Sequence, residues 1–146
     1  MGFRNNLFRR GIVSSDNEVL INASFFKRQV APATMADTGL LTAAQLLTGI
    51  IVSTPTAAAA YTLPTGALLD AALSSYMINN AAFDFSIINL SGTDGDIITL
   101  TASVGITIVG SPFVNANQWE VSFYRNVGIF RCRKTAANTF VVYRIG

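Results

Sequence analysis

The chain offers few residues with the means to do chemistry. Asp94 and Asp96 lie one residue apart in "GTDGD", beside Gly92 and Gly95. Paired aspartates in a loop present the oxygen donors that calcium takes. An EF-hand loop opened at Asp94 needs a glutamate at its twelfth position, where this chain has Gly105, so the segment reads as a solvated β-turn. Glycoside cleavage needs two carboxylates at a set separation. Asp70, Asp84 and Glu120 are available, but nothing in their local sequence singles them out. Cys132, the single cysteine, sits in "FRCRK" between Arg131 and Arg133. Flanking arginines lower a thiol pKa. Alternation, however, groups Cys132 with Phe130 on an apolar face, and with no histidine in the chain the thiol has no histidine base. It reads as a buried structural cysteine.

The absence of histidine also removes the Ser-His-Asp and Cys-His arrangements, and no Cys/His zinc spacing exists. Neither glycine-rich phosphate motif occurs, GxxxxGK[ST] or GxGxxG. The sequence therefore predicts no enzyme, cofactor or metal site. Tyr61, Tyr76, Trp119, Tyr124 and Tyr143 are candidates for stacking sugars or bases, although Trp119 opens a strongly alternating strand and reads as core. "RNVGIFRCRK" mixes basic and apolar residues as a nucleic-acid strand does. Its alternation fits equally a sheet strand with one apolar and one basic face.

The elements that must position these residues are mostly strands. "AFDFSIINLSG" puts Phe83, Phe85, Ile87 and Asn89 on one side. "IITLTASVG", "ITIVGSP", "QWEVSFYRNVG", "IFRCRK" and "TFVVYRIG" follow, separated by Gly, Asn, Asp and Pro. Short strands at regular spacing predict an all-β sandwich or barrel with consecutive strands pairing antiparallel. Phe85, Ile87, Ile98, Leu100, Trp119, Val121, Phe123, Phe130 and Val142 are the expected core. Two short helices precede the strands. "LTAAQLLTG" carries Thr42 as N-cap and Gly49 as stop. "TGALLDAALSSY" carries Thr65 as cap, with Leu68, Leu69 and Leu73 near one face. Between them "TPTAAAAYTLPTGALLDAAL" reads as a strand, a corner set by Pro55 and Pro64, and a helix.

Charged residues make up 12% of the 146-residue chain and hydrophobic ones 51%. Few charges are available to cover the surface, which points to surface buried against other chains, the alternative being a secreted protein coated with Thr, Ser and Asn. No apolar run reaches the roughly 20 residues that span a bilayer, and residues 1–19 lack the apolar core of a secretory signal. No Lys or Arg stands between Arg28 and Arg125, so the middle of the chain is no nucleic-acid footprint. The two basic ends are suited to acid groups on a partner, or to the acidic middle of a neighbouring copy.

Residues 1–39 read as a separate N-terminal arm and linker, and 40–146 as the compact domain. Within the arm "NEVLINA" (17–23) and "SFFKRQV" (24–30) are strand candidates, and "APATMADTG" (31–39) reads as the linker. The arm holds Phe3, Leu7, Phe8, Phe25 and Phe26, poor residues to leave in water, and Arg4, Arg9 and Arg10, suited to carboxylates. That combination suits an anchoring segment.

"LLTAAQLLTGIIVSTPTAAAAYTLPTGALLDAAL", followed by "FSIINLSGTDGDIITLTASVGITIVG", resembles the small capsid decoration (cement) and head-fibre proteins of tailed bacteriophages and related large DNA viruses. The likeness runs over about residues 40–145 and rests on small and apolar residues. It implies a compact antiparallel β-barrel or jelly-roll-like sandwich, trimeric, on the surface of a virion and bound to the major capsid protein or other virion proteins. On that reading Ala57, Ala58, Ala59, Ala60 and Tyr61 form the trimer interface and the arm anchors the trimer to the capsid. A receptor- or glycan-binding fibre module is the alternative the same resemblance leaves open.

Overall fold

The computed structural model describes residues 18–21, 24–73, 77–117 and 126–146. The chain divides into two units, Met1–Ala31 and Pro32–Gly146. In the first, β1 (Glu18–Ile21) and β2 (Ser24–Lys27) form an antiparallel hairpin, Leu20 opposite Phe25 and Val19 opposite Phe26. The two strands expected in the arm are therefore present.

The second unit holds ten strands among the described residues, in two sheets. The six-stranded sheet has the order β3-β5-β7-β11-β12-β9 and the four-stranded sheet β10-β8-β6-β4. The strands are β3 (Ala33–Met35), β4 (Gly39–Leu40), β5 (Ile50–Ser53), β6 (Ala59–Thr62), β7 (Ala82–Asn89), β8 (Ile98–Thr101), β9 (Ile106–Val109), β10 (Phe113–Val114), β11 (Val127–Ala136) and β12 (Thr139–Arg144). Helix α1 (Ala43–Leu47) precedes β5, and α2 (Gly66–Leu73) follows β6. From β3 to β11 the chain alternates strictly between the two sheets. One core joins them: Ile51, Phe85, Ile87, Phe130 and Phe140 from one side, Tyr61, Ile98, Leu100 and Val114 from the other.

This architecture corrects the expectation of a single antiparallel barrel. The strands β3, β5 and β7 are mutually parallel, as are β4, β6 and β8, and β9 runs parallel to β12. Parallel neighbours need a long crossover, for which a helix is the usual solution. In the β3-β5-β7 and β4-β6-β8 runs each crossover contains a strand of the opposite sheet, with α1 or α2 added, whereas β9 reaches β12 through β10 and β11. The period-two pattern shows which face of a strand is buried; it carries no information on which strand lies beside it.

The linker assignment is also corrected. Ala33–Met35 and Gly39–Leu40 are strands of the two sheets, so the compact unit begins at Pro32. Ala33 and Met35 pack against the core. The phenol of Tyr61 anchors the same segment. It is hydrogen-bonded to Ser53 Oγ and faces the carbonyl oxygens of Met35 and Ala36 as a donor, each at 3.2 Å.

The local signals that the sequence carried are seen in the structure. Thr42 caps α1 through a reciprocal bond with Gln45, and Gly49 follows with φ +79°. Thr65 Oγ1 accepts from the Leu68 amide at 3.3 Å. Of the leucines assigned to one face of α2, Leu69 is buried and Leu73 half-buried, but Leu68 is 54% exposed. Phe85, Ile87, Ile98, Leu100, Phe130 and Val142 are all buried. Trp119, Val121 and Phe123 lie outside the described residues.

Cys132 is fully buried, and burial pushes its thiol from 9.0 up to about 12. Burial likewise holds the Tyr61 phenol above its ordinary 10.0. Both groups give up protons more readily in the unfolded chain. Stability is thus fully present below pH 9 and falls as pH rises towards the folded values. At roughly 1.4 kcal/mol per unit, the thiol alone removes about 2 kcal/mol by about pH 10.5. Urea unfolding at a series of alkaline pH values should show this decline, and Cys132→Val should remove most of it.

Candidate interaction surfaces

The alanine-rich corner is only partly a surface. Pro55 is buried, Ala57 and Ala58 are exposed, and β6 then alternates. Ala59, at 4% exposure, and Tyr61, at 0%, face the core, while Ala60 and Thr62 face outward. Ala59 and Tyr61 therefore cannot line a contact with another chain, and Tyr61 cannot stack a sugar. Ala57, Ala58 and Ala60 remain. Four consecutive alanines carry no alternation, so nothing in the run marks which side each takes.

Register extends the surface around Ala60. Thr62 lies between Leu40 and Thr101, and Thr99 between Ala60 and Phe113. These six outward positions of the four-stranded sheet carry no charge, and Leu40 and Phe113 are exposed. The outer face of the six-stranded sheet is split. One part is aliphatic, with Val52 beside Ile88, Ile88 beside Val127, and Ile50 in line with Ser86 and Ile129. The other carries Asp84 beside Arg131, and Arg131 beside Tyr143.

The acidic middle of the chain is largely engaged within the chain. Arg131 holds Asp84 through two hydrogen bonds of 2.7 and 2.8 Å. Lys134 Nζ bonds Asp70 Oδ1, and the Asn138 amide donates to Asp70 Oδ2 at 2.8 Å. The Lys134 bond first, and the Asn138 bond second, hold the Asp70 carboxyl below the usual carboxylate range. Arg131 and Lys134 thus meet Asp84 and Asp70 of their own chain. At "GTDGD", Ser91 Oγ donates to Asp96 at 2.6 Å, and Asn89 Nδ2 donates to the Asp96 carbonyl at 2.7 Å. Asp96 is buried in this turn while Asp94 is exposed. Among the described residues no group of three or more His, Cys, Asp or Glu side chains is placed to hold a metal.

Two positioning features escaped the sequence reading. The start of α2 meets the turn between β11 and β12, where Gly66 and Gly105 both face the carbonyl of Asn138 too closely for any Cβ. Arg144 reaches between the sheets. It donates to the Phe113 carbonyl at 2.8 Å and the Val127 carbonyl at 3.1 Å, and its guanidinium stands 5.0 Å from the Phe130 ring centre. "PTG" did mark a corner, but nothing local marks what approaches it.

Of the residues expected to anchor the arm, Phe3, Arg4, Leu7, Phe8, Arg9 and Arg10 lie outside the described residues. Phe25 and Phe26 fall on β2. No helix among the described residues is long and apolar enough to cross a membrane. Comparison with family models, curated proteins and solved structures found no match for this chain.

Proposed function

We propose that the chain is a structural protein of a virus particle: a decoration or cement protein that forms a homotrimer on the capsid surface. The observation that carries this reading is the uncharged outer face of the four-stranded sheet, Leu40, Thr62, Thr101, Ala60, Thr99 and Phe113, continuing into exposed Ala57 and Ala58. A sheet face without charge is suited to burial against protein. Small side chains at Ala57, Ala58 and Ala60 let a neighbouring backbone approach. The resemblance of residues 40–145 to capsid decoration proteins supplies the particle. The arm, with Phe3, Phe8 and Arg4, Arg9 and Arg10, supplies the anchor. No catalytic step is assigned to it.

Immunogold labelling of intact particles tests the location: label over the capsid is expected, and label confined to fibre tips favours the receptor- or glycan-binding reading, as would selective binding on a glycan array. The interface has its own test. Ala58→Lys and Ala60→Lys each place an ammonium where a neighbour is to pack, and an unpaired buried charge is costly. Each should weaken the trimer by at least tenfold in dissociation constant while leaving the thermal midpoint of the isolated subunit within a few degrees. Sedimentation velocity over a dilution series reads the first effect and circular dichroism the second.

A further inference from the structure

Sheet edges invite pairing with other strands, and proteins protect them by shortness, proline, charge, bulges or a covering element. Among the described residues of the Pro32–Gly146 unit, three of the four sheet edges are protected. Strands β4 and β10 are two residues each. Strand β3 follows Pro32, and its carbonyls are engaged: Thr34 accepts from Gln45 Nε2 of α1 at 3.5 Å, and Met35 faces the Tyr61 phenol. The fourth edge, β9, has none of these devices. Ile106–Val109 is four residues of unbroken register against β12, and no charged residue occurs anywhere from Ile97 to Asn117. Among the described residues no strand lies on its other side. Val104, at 82% exposure, precedes it, and Val109, at 47%, is its last residue.

We propose that β9 is a self-pairing edge, which joins two copies of this chain antiparallel across a twofold axis at Thr107. The Phe140 amide donates to the Gly105 carbonyl at 2.9 Å. Alternation therefore turns the backbone groups of Gly105 and Thr107 towards β12 and those of Ile106 and Ile108 outward. The Ile106 amide already donates to Ser103 at 3.0 Å. The outward donor of the strand is then Ile108 N–H, and the outward acceptors are the carbonyls of Ile106 and Ile108.

The occupant follows from the sequence of the edge. "ITI" reads the same in both directions about Thr107. An antiparallel second copy sets Ile106 opposite Ile108 of that copy, so that Ile108 N–H meets the carbonyl of Ile106 at two symmetric places. The isoleucines then extend the core side of the sheet, and Thr107 stands against its own counterpart on the outer side, a favourable cross-strand pair. A second copy is the one partner whose complementarity the strand itself guarantees. The edge belongs to the six-stranded sheet and Ala57–Ala60 to the other side of the core, so this contact is distinct from the trimer surface and does not depend on the virion reading. If both hold, β9 links one trimer to the next.

The test is cross-linking of full-length Thr107→Cys, with Thr93→Cys, in the exposed turn before β8 and outside the proposed trimer face, as the collision control; buried Cys132 stays in both. Opposed residues in a non-hydrogen-bonded antiparallel pair approach within disulfide range. Under a mild oxidant such as copper phenanthroline, Thr107→Cys should form a covalent pair at least ten times faster than Thr93→Cys. Amide exchange of Ile108 in the unmodified protein should slow at least tenfold between dilute and concentrated solution. Equal cross-linking rates, or none, together with concentration-independent exchange at Ile108, overturn the proposal. A protein that is trimeric but fails both measurements loses this edge contact and keeps the proposed trimer.

Discussion

Gly66→Ala is expected to leave the Pro32–Gly146 unit largely unfolded at room temperature. A Cβ at Gly66 runs into the carbonyl oxygen and carbon of Asn138 and crowds the carbonyl of Gly105 at 3.1 Å. All of these are backbone atoms, so no side chain can swing away. The backbone cannot easily yield either. The Gly66 amide donates to Val104 at 2.8 Å, the Phe140 amide to Gly105 at 2.9 Å, and the Asn138 amide to Asp70 at 2.8 Å. Asn138 itself holds φ +54°. Moving any one of them breaks a hydrogen bond that closes the β11–β12 turn onto α2. Overpacking of a core with flexible walls costs about 1–3 kcal/mol. With rigid walls the loss should exceed about 4 kcal/mol, a large part of the stability of a domain this size. Chemical denaturation reads it directly. Gly92→Ala is the comparison, since a Cβ there meets nothing within 4 Å, and it should cost little.

The second large effect concerns where the chain is cut. A fragment of residues 32–146 should fold cooperatively, whereas one of 38–146 should be strongly destabilised or insoluble. The longer fragment retains β3. The shorter one loses Ala33 and Met35 from the core margin, exposes the edge of β5 that β3 pairs with, and removes both carbonyls that face the Tyr61 phenol. A buried hydroxyl pair left short of partners costs about 1–3 kcal/mol, and loss of the two apolar side chains adds to it. Heteronuclear NMR spectra of the two fragments separate the outcomes: dispersed peaks for 32–146, collapsed peaks for 38–146. Dispersed spectra from both would mean that β3 is dispensable.

These two predictions lie where the sequence was least informative. Strand positions and their buried faces were legible at Phe85, Ile87, Ile98, Leu100, Phe130 and Val142, because alternation with polar residues follows directly from the pleat. The first helix was legible from Thr42 and Gly49, whose capping roles are local. Partner choice was not legible. The parallel pairing of β5 with β7 depends on a chain that leaves one sheet, crosses the core as β6 and returns, which no pattern within β5 or β7 records. Nor does "PATMADTG", small and proline-led, reveal that Met35 faces a core. Its strand is completed by contacts far along the chain, at Ile51 and Tyr61. The alanine run does not show its own buried face for the related reason that identical residues show no alternation: Ala59 and Tyr61 are core and Ala60 faces outward.

On the proposed function, this chain assembles with itself through the uncharged face around Ala60. Light scattering coupled to size exclusion measures it most directly. At low micromolar concentration the full-length protein should elute with a mass that is three times its 15.6 kDa, or a multiple of three if the β9 edge joins trimers. Ala60→Lys should shift that mass towards a single chain. A wild-type mass of 15.6 kDa across the peak, unchanged by concentration, would contradict the trimer and with it the proposed role on the capsid.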